Sequence, residues 1–319
     1  MPLVVGIDEA GYGPLLGPLV VGATLWRVPP ELARGDFWQH LSDCVCRAAG
    51  GKDSRLPVGD SKQVFDRKRG IATLERTVLA FAQSAKLPCD TLGTLLAALG
   101  YERSSTGDIP WYQDLSAALP LDPARSAFAG AAQRLDASMG ARGMACCGLR
   151  AAILTEDVFN HRVAQTRNKA AVLLEAVLRL VQWAAEQCGD QDLHVLVDHL
   201  GGRADYRAPL MRAFPDRYLH IVAVSDQCSR YRLAAQRNDW HVEFTVAAER
   251  QHLPVALASM LAKYVRELLM ERFNAYWCGL APQLRPTAGY YTDARRFLSE
   301  IDPLLARGGV ALERFVRAR

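Results

Sequence analysis

The chain has 319 residues, is 50% hydrophobic and 23% charged, and carries a formal net charge of +4. These proportions suit a folded protein of one large or two smaller domains and exclude a fibrous or low-complexity chain. The small net charge excludes nucleic-acid binding through bulk charge, so such a partner would need a local basic surface. Arg67-Lys68-Arg69, Arg295-Arg296 and the tail arginines Arg314, Arg317 and Arg319 are the candidates for one.

Taken in chain order, residues 3–8 and 19–27 read as strands, joined by a loop punctuated by Gly11, Gly13, Pro14, Gly17 and Pro18. Asp60-Ser61 is a candidate cap for a helix over about 65–84, where Ile71, Leu74, Val78 and Phe81 recur at spacings of three and four. Residues 85–143, rich in Leu, Ala, Gly and Pro around Pro110-Trp111-Tyr112, interrupt the pattern and read as an insertion of short helices. Residues 144–149 form a third strand. Asn168 introduces an amphipathic helix through Val172, Leu173, Ala176, Val177, Leu180 and Trp183. Residues 193–198 and 219–224 are further strands, 255–273 a helix, and the tail from about 293 a helix again. Mixing strands and helices in this order implies an α/β layer with a mixed sheet. The expected division is a catalytic domain over 1–275 and a helical extension over 276–319.

The chemistry sits where the first apolar run ends. Asp8 and Glu9 close a strand that reads as core, and an ionised side chain is costly to bury without a partner. Two carboxylates about 4 Å apart repel by about 4 kcal/mol at an effective dielectric near 20. A hard divalent cation with oxygen ligands, Mg²⁺ or Mn²⁺ rather than zinc, is the natural counter-charge. The same loop, Gly11-x-Gly13-x-x-x-Gly17, imitates a dinucleotide-binding fingerprint. Two acids directly before it would repel a pyrophosphate, and Pro14 and Pro18 spoil a helix start. The eight cysteines show no Cys-x-x-Cys spacing and read as reduced thiols of a cytoplasmic protein. No secretory signal or membrane helix is expected, because Asp8 and Glu9 interrupt the early apolar run and Leu15 to Trp26 is too short to span a bilayer.

Several segments together resemble the type 2 ribonucleases H (the ribonuclease HII family). Gly6-Ile7-Asp8-Glu9-Ala10-Gly11-Tyr12-Gly13-Pro14 matches that family's opening motif at every position but one, Tyr12 standing where the family has arginine. Gly17-Pro18-Leu19-Val20 follows on cue. Asp60-Ser61-Lys62 matches the Asp-Ser-Lys motif, and Leu193 to Asp198 resembles the strand that ends on a third acid, with His199 in place of a glycine. Ala258-Ser259-Met260-Leu261-Ala262-Lys263-Tyr264-Val265-Arg266-Glu267 resembles the helix that carries a fourth acid, aspartate in the family and Glu267 here. Gly289-Tyr290 is similar to a Gly-Tyr loop near the family's C-terminus. Residues 85–143 and much of 200–245 match nothing in the family.

The resemblance implies a ribonuclease H-like fold and an endonuclease that hydrolyses the RNA strand of RNA–DNA hybrids, leaving 5′-phosphate and 3′-hydroxyl ends. It implies catalysis and metal ligation by Asp8, Glu9, Asp198 and Glu267 around two Mg²⁺ or Mn²⁺ ions, one activating water and one stabilising the leaving oxygen. It further implies substrate contacts at Gly11, Tyr12, Gly13, Ser61, Lys62, Lys263 and Tyr290, the glycine loop meeting the ribose 2′-hydroxyl that separates RNA from DNA. Glu267 has a competing reading, because Ser259, Lys263 and Glu267 recur every four residues and a plain Lys263–Glu267 surface pair satisfies the same spacing. The expected partner is an RNA–DNA hybrid, with no membrane, and the protein is expected to be a cytoplasmic monomer. A second reading is a hybrid-binding protein of the same fold that no longer cuts, or cuts with altered specificity, motivated by Tyr12, His199 and Glu267.

Overall fold

The computed structural model describes residues 1–48, 53–64, 70–102, 109–124, 126–201, 203–308 and 311–318, with backbone alone at 62, 63, 303, 306–308 and 313. The elements in chain order are β1 (Leu3–Ala10), β2 (Leu19–Arg27), α1 (Phe37–His40), β3 (Val45–Cys46), β4 (Leu56–Pro57), α2 (Ser61–Val64), α3 (Ala72–Ser84), α4 (Leu92–Ala98) and α5 (Ala129–Ala141). They continue with β5 (Ala145–Leu154), α6 (Glu156–Thr166), α7 (Lys169–Cys188), β6 (Leu193–Asp198), α8 (Arg207–Ala213), β7 (Tyr218–Val224), β8 (Cys228–Ala234), β9 (Asp239–Thr245), α9 (Leu253–Leu280) and α10 (Tyr291–Gly308). Seven strands form one mixed sheet in the order β5-β2-β1-β6-β9-β8-β7. β1 runs antiparallel to β2 and parallel to β6, and β6 runs parallel to β9. This is the mixed α/β architecture that the pattern implies.

Alternation along the central strands explains the two cores. Leu3, Val5 and Ile7 of β1 and Leu193, Val195 and Val197 of β6 join the core beneath α7. Val4 packs instead into the core built around α9, so the even positions of β1, Gly6 and Asp8 among them, face α9. On β6 the same face carries His194, Leu196 and Asp198. Helix α7 forms because Asn168 Oδ1 accepts from the Ala170 and Ala171 amides (2.9 and 3.2 Å) and its apolar stripe is buried. Helix α9 is apolar nearly all round and is accordingly buried along most of its length. Its seat is set by glycine: a Cβ on Gly6 would lie 2.2 Å from the Pro254 carbonyl carbon, and one on Gly22 would lie 2.5 Å from the Ala258 oxygen. Only a bare backbone lets the helix approach the sheet this closely, and that approach brings Ser259 to Asp8.

The insertion is not a separate lobe. Leu92, Leu95, Leu96, Trp111, Tyr112, Leu135 and Met139 share the α9 core, together with Phe297, Ile301 and Phe315 from beyond residue 276. Fully buried Glu75 accepts from Tyr264 Oη and from the Leu121 amide, both at 2.9 Å, which ties α3, α9 and the insertion together. Two sequence expectations shift. Asp60-Ser61 opens the four-residue α2 rather than the longer helix, which is described from Ala72 after Ile71; residues 65–69 lie outside the described residues. Helix α9 extends from Leu253 to Leu280, beyond the expected 255–273. The region of 200–245 that matches no family motif contains α8 and the hairpin strands β8 and β9. Among the described residues, no helix is long and apolar enough to cross a membrane.

Candidate active site

Parallel pairing of β1 with β6 matches Ile7 to Val197, so the next residues on each strand, Asp8 and Asp198, end the sheet side by side on the α9 face. Asp8 is only 8% exposed. Its carboxyl is held well above the usual aspartate range, first by loss of solvent and then by the negative charges of Glu9 and Asp198. Its Oδ1 accepts from the Glu9 amide at 2.7 Å, and it also accepts from the Ser259 hydroxyl. Ser61 Oγ stands 3.1 Å from Ser259 Oγ. With the Ser259 proton committed to Asp8, Ser61 is the donor to Ser259, and the Asp-Ser-Lys segment is thereby linked to the acid cluster.

Asp198 accepts from the Ala248 amide at 2.9 Å, and burial raises its carboxyl too. The turn that supplies this amide, Ala248–Arg250, also brings Glu249 within hydrogen-bonding reach of Asp198. Glu249 is raised by burial and by the charges of Asp198 and Asp60, with Arg250 3.6 Å away as a partial counter-charge. Glu249 is the functional candidate that sequence reasoning missed. It lies in a short turn ahead of α9, outside every matched motif, and only the β6–β9 pairing carries that turn to Asp198.

Glu267 has a different setting. It lies two helical turns, about 12 Å along the axis, beyond Ser259. Lys263 Nζ donates to it at 2.7 Å and Arg266 Nη1 stands 3.6 Å away. Lys263 and Glu267 pair, but at 13% and 20% exposure this is a mostly buried pair and not the plain surface pair of the competing reading. The acid facing Asp198 is Glu249.

The loop after Glu9 is held from beneath. Gly11 has φ +88°, and a Cβ there would lie 2.6 Å from Arg266 Nε and from the Pro18 oxygen, so no other residue fits. Arg266, 1% exposed, donates through Nη2 to the carbonyls of Leu16 (3.3 Å) and Ala288 (3.0 Å). Gly289 O accepts from the Leu15 and Leu16 amides, which sets the Gly289-Tyr290 loop against the glycine loop as the motif order suggests. Tyr290 is half exposed above Arg266, whose Cζ is 5.7 Å from its ring centre. The Gly17 amide donates to Glu156 Oε1 at 3.0 Å and Tyr112 Oη donates to the same atom at 3.2 Å. Glu156 is fully buried and its carboxyl is pushed up to about 7, chiefly by loss of solvent. Tyr12 lies at the rim, with Lys169 Nζ 5.0 Å from its ring centre; burial and the charge of Glu9 raise its hydroxyl pKa. Gly13 is open to solvent.

The basic candidates divide. Arg296 is engaged by Asp293 and Glu300, both at 2.7 Å. Arg317 is buried. Arg67-Lys68-Arg69, Arg319 and the side chain of Lys62 lie outside the described residues. Among the described residues, no three His, Cys, Asp or Glu are already arranged to hold a metal ion. The acids are neighbours contributed by β1, β6 and the turn before α9, not a closed cage.

No family profile and no curated protein matches the chain. Among solved structures, the chain is similar to ribonuclease HII of Archaeoglobus fulgidus, solved in complex with PCNA, at 16% identity and TM-score 0.48, over 99% of this chain and 94% of that one. It is similar to ribonuclease H2 of Pyrococcus horikoshii at 13% identity and TM-score 0.48, over 98% and 92%. It is also similar to Bst-RNase HIII, solved with Mn²⁺, at 16% identity and TM-score 0.47, over 99% and 66%.

Proposed function

We propose that the protein is a divalent-metal-dependent nuclease of the ribonuclease H type that hydrolyses the RNA strand of RNA–DNA hybrids, leaving 5′-phosphate and 3′-hydroxyl ends. One observation carries this reading: Asp8 is buried at the end of a central strand between two further carboxylates, Glu9 and Asp198. Such an arrangement is stable when ionised only if a cation completes it. The residues fit a hard cation, because the donors are all oxygen and Ser259 and the Glu9 and Ala248 amides already orient them. Few protein ligands and an incomplete shell suit Mg²⁺ or Mn²⁺, which keep water and take substrate oxygens.

Asp8, Glu9, Asp198 and Glu249 would hold the ions, with Glu249 in the place the sequence assigned to Glu267. When bound, two such ions supply a polarised phosphate and an acidified water. The chain's own residues do the rest. Ser61 and Ser259 fix the Asp8 carboxylate, and Ala248 fixes that of Asp198. The Gly11–Gly13 backbone, with its open side at Gly13, meets the ribose. Half-exposed Tyr290 and partly buried Tyr12 offer rings to sugar or base. Lys169 beside Tyr12 offers a cation to the phosphate backbone. Tyr12 in place of arginine also supports the second reading, a protein that holds hybrids without cutting.

The test uses labelled duplexes with uniform RNA, a single ribonucleotide or only DNA in one strand, with Mg²⁺, Mn²⁺ or chelator. Cleavage of the uniform hybrid by either metal, ending in 3′-hydroxyls and abolished by chelator, is the expected result. Tight hybrid binding without cleavage in either metal would establish the second reading, and neither binding nor cleavage would overturn both.

A further inference from the structure

The third residue from the end of the chain lies beneath the glycine loop. Arg317 is 3% exposed. Its Nη1 donates to the Gly11 carbonyl and its Nη2 donates to the Tyr12 carbonyl at 3.1 Å. Its own amide donates to Leu15 O at 2.9 Å. The guanidinium lies over Phe159, with Cζ 4.2 Å from the ring centre, and feels the charges of Arg266 and Glu156. The tail on either side is pinned as well: Asn160 of α6 donates to Val316 O at 2.7 Å and accepts from the Ala318 amide at 2.6 Å.

The direction of these bonds decides their role. Four loop carbonyls, those of Gly11, Tyr12, Leu15 and Leu16, are taken by donors of Arg317 and Arg266. The loop amides that are bound from beneath belong to Leu15, Leu16 and Gly17. Gly13, next along the loop, is exposed to solvent. A buried guanidinium fork is suited to fixing two adjacent carbonyls at once, because its donors are planar and preset. Leaving it without acceptors would strand a buried charge, so the loop's inward-turned carbonyls and Arg317 hold each other.

We infer that Arg317 is a positioning residue: the C-terminal tail clamps the Gly11–Tyr12 backbone through its two carbonyls and so holds the loop in one conformation for the substrate. The clamp itself is read from geometry alone; its kinetic consequence rests on the proposed nuclease reading. Arg317 touches no reacting atom and acts only through the loop.

The experiment compares wild type with Arg317→Ala and Arg317→Lys by amide hydrogen exchange and by hybrid cleavage. In Arg317→Ala the peptide over 10–18 should exchange at least about tenfold faster while the peptide over 193–198 is unchanged. KM for hybrid should rise more than kcat falls, and added guanidinium at millimolar concentration should restore part of the loss. Arg317→Lys keeps the charge but loses the fork, and should loosen 10–18 without general loss of protection. Wild-type protection over 10–18 in both variants would overturn the inference, and so would uniform loss of protection across all peptides in both. If wild type cleaves no hybrid, the exchange result still decides the clamp, so failure of the nuclease reading is seen separately.

Discussion

Two charged groups flank the Gly11–Gly17 loop, and they are composed in opposite ways. Above it, Asp8, Glu9, Asp198 and Glu249 crowd carboxylates together, and the charges acting on Asp8 are themselves negative. Below it, Arg266 and Arg317 bury two guanidiniums with Glu156 between the loop and α6. In the lower group unlike charges meet: Arg266 and Arg317 donate to loop carbonyls and Glu156 Oε1 accepts from Gly17 and Tyr112, while Arg266 Nε and Nη1, Arg317 Nε and Glu156 Oε2 have no hydrogen-bond partner among the described residues. On the proposed reading, a cation completes the upper group. Unlike charges meet beneath the loop and like charges above it, and on that contrast we propose the upper cluster as the site of binding and chemistry.

The strongest way to break the contrast is to remove charge from the upper cluster. Asp198→Asn should lower hybrid cleavage by at least about a thousandfold, about 4 kcal/mol of transition-state stabilisation. Glu249→Gln should cost about a hundredfold. Glu267→Gln, which disturbs only the Lys263 and Arg266 contacts, should stay within about threefold. Single-turnover rates for the three proteins check this ordering, and equal losses at Glu249 and Glu267 would return Glu267 to the site.

A second test separates the site's supports from its ligands. Gly6→Ala forces a methyl into the Pro254 backbone and should destabilise the fold by about 3 kcal/mol or more, measured by denaturant unfolding. The lower group gives a smaller, pH-dependent effect. The Glu156 carboxyl stands near 7 when folded, against an ordinary value of 4.5. Its folded pKa is raised, so the native state holds the proton more tightly than the unfolded chain does. The stability this contributes is present below about 4.5 and lost as pH climbs towards 7. Glu156→Gln has no proton to lose, so relative to wild type it should gain up to about 2–3 kcal/mol between pH 5 and pH 8. Parallel unfolding curves at the two pH values would contradict the burial of that charge.

What was legible in the sequence was local or strongly patterned. Gly6 to Pro14 announced both the strand and its acids, Asn168 announced α7, and residues 193–198 gave the neighbour that brings Asp198 to Asp8. Glu249 was not legible, because its role depends on β9 pairing with β6, a contact across some fifty residues that no local pattern encodes. Arg317 was hidden for the same reason: among tail arginines it looks like a solvated charge until the chain folds back under residue 11. Glu267 lies on the face of α9 that carries Ser259, as its spacing indicated, but spacing alone did not show its pairing with Lys263 and Arg266. Periodicity reports the face of a helix and not how far along it the neighbour lies.

The central claim, that the upper cluster is completed by a divalent cation, is tested most directly by thermal unfolding at increasing Mg²⁺ or Mn²⁺, for wild type and Asp8→Asn. Metal that binds only the folded state stabilises it by about 2.7 kcal/mol at a hundred times its Kd. Wild type should therefore rise in Tm with either metal. Asp8→Asn, relieved of a repelled carboxylate, should begin at a higher Tm than metal-free wild type at neutral pH and gain far less on titration. A wild-type Tm indifferent to both metals, or an equal rise in Asp8→Asn, would contradict the account.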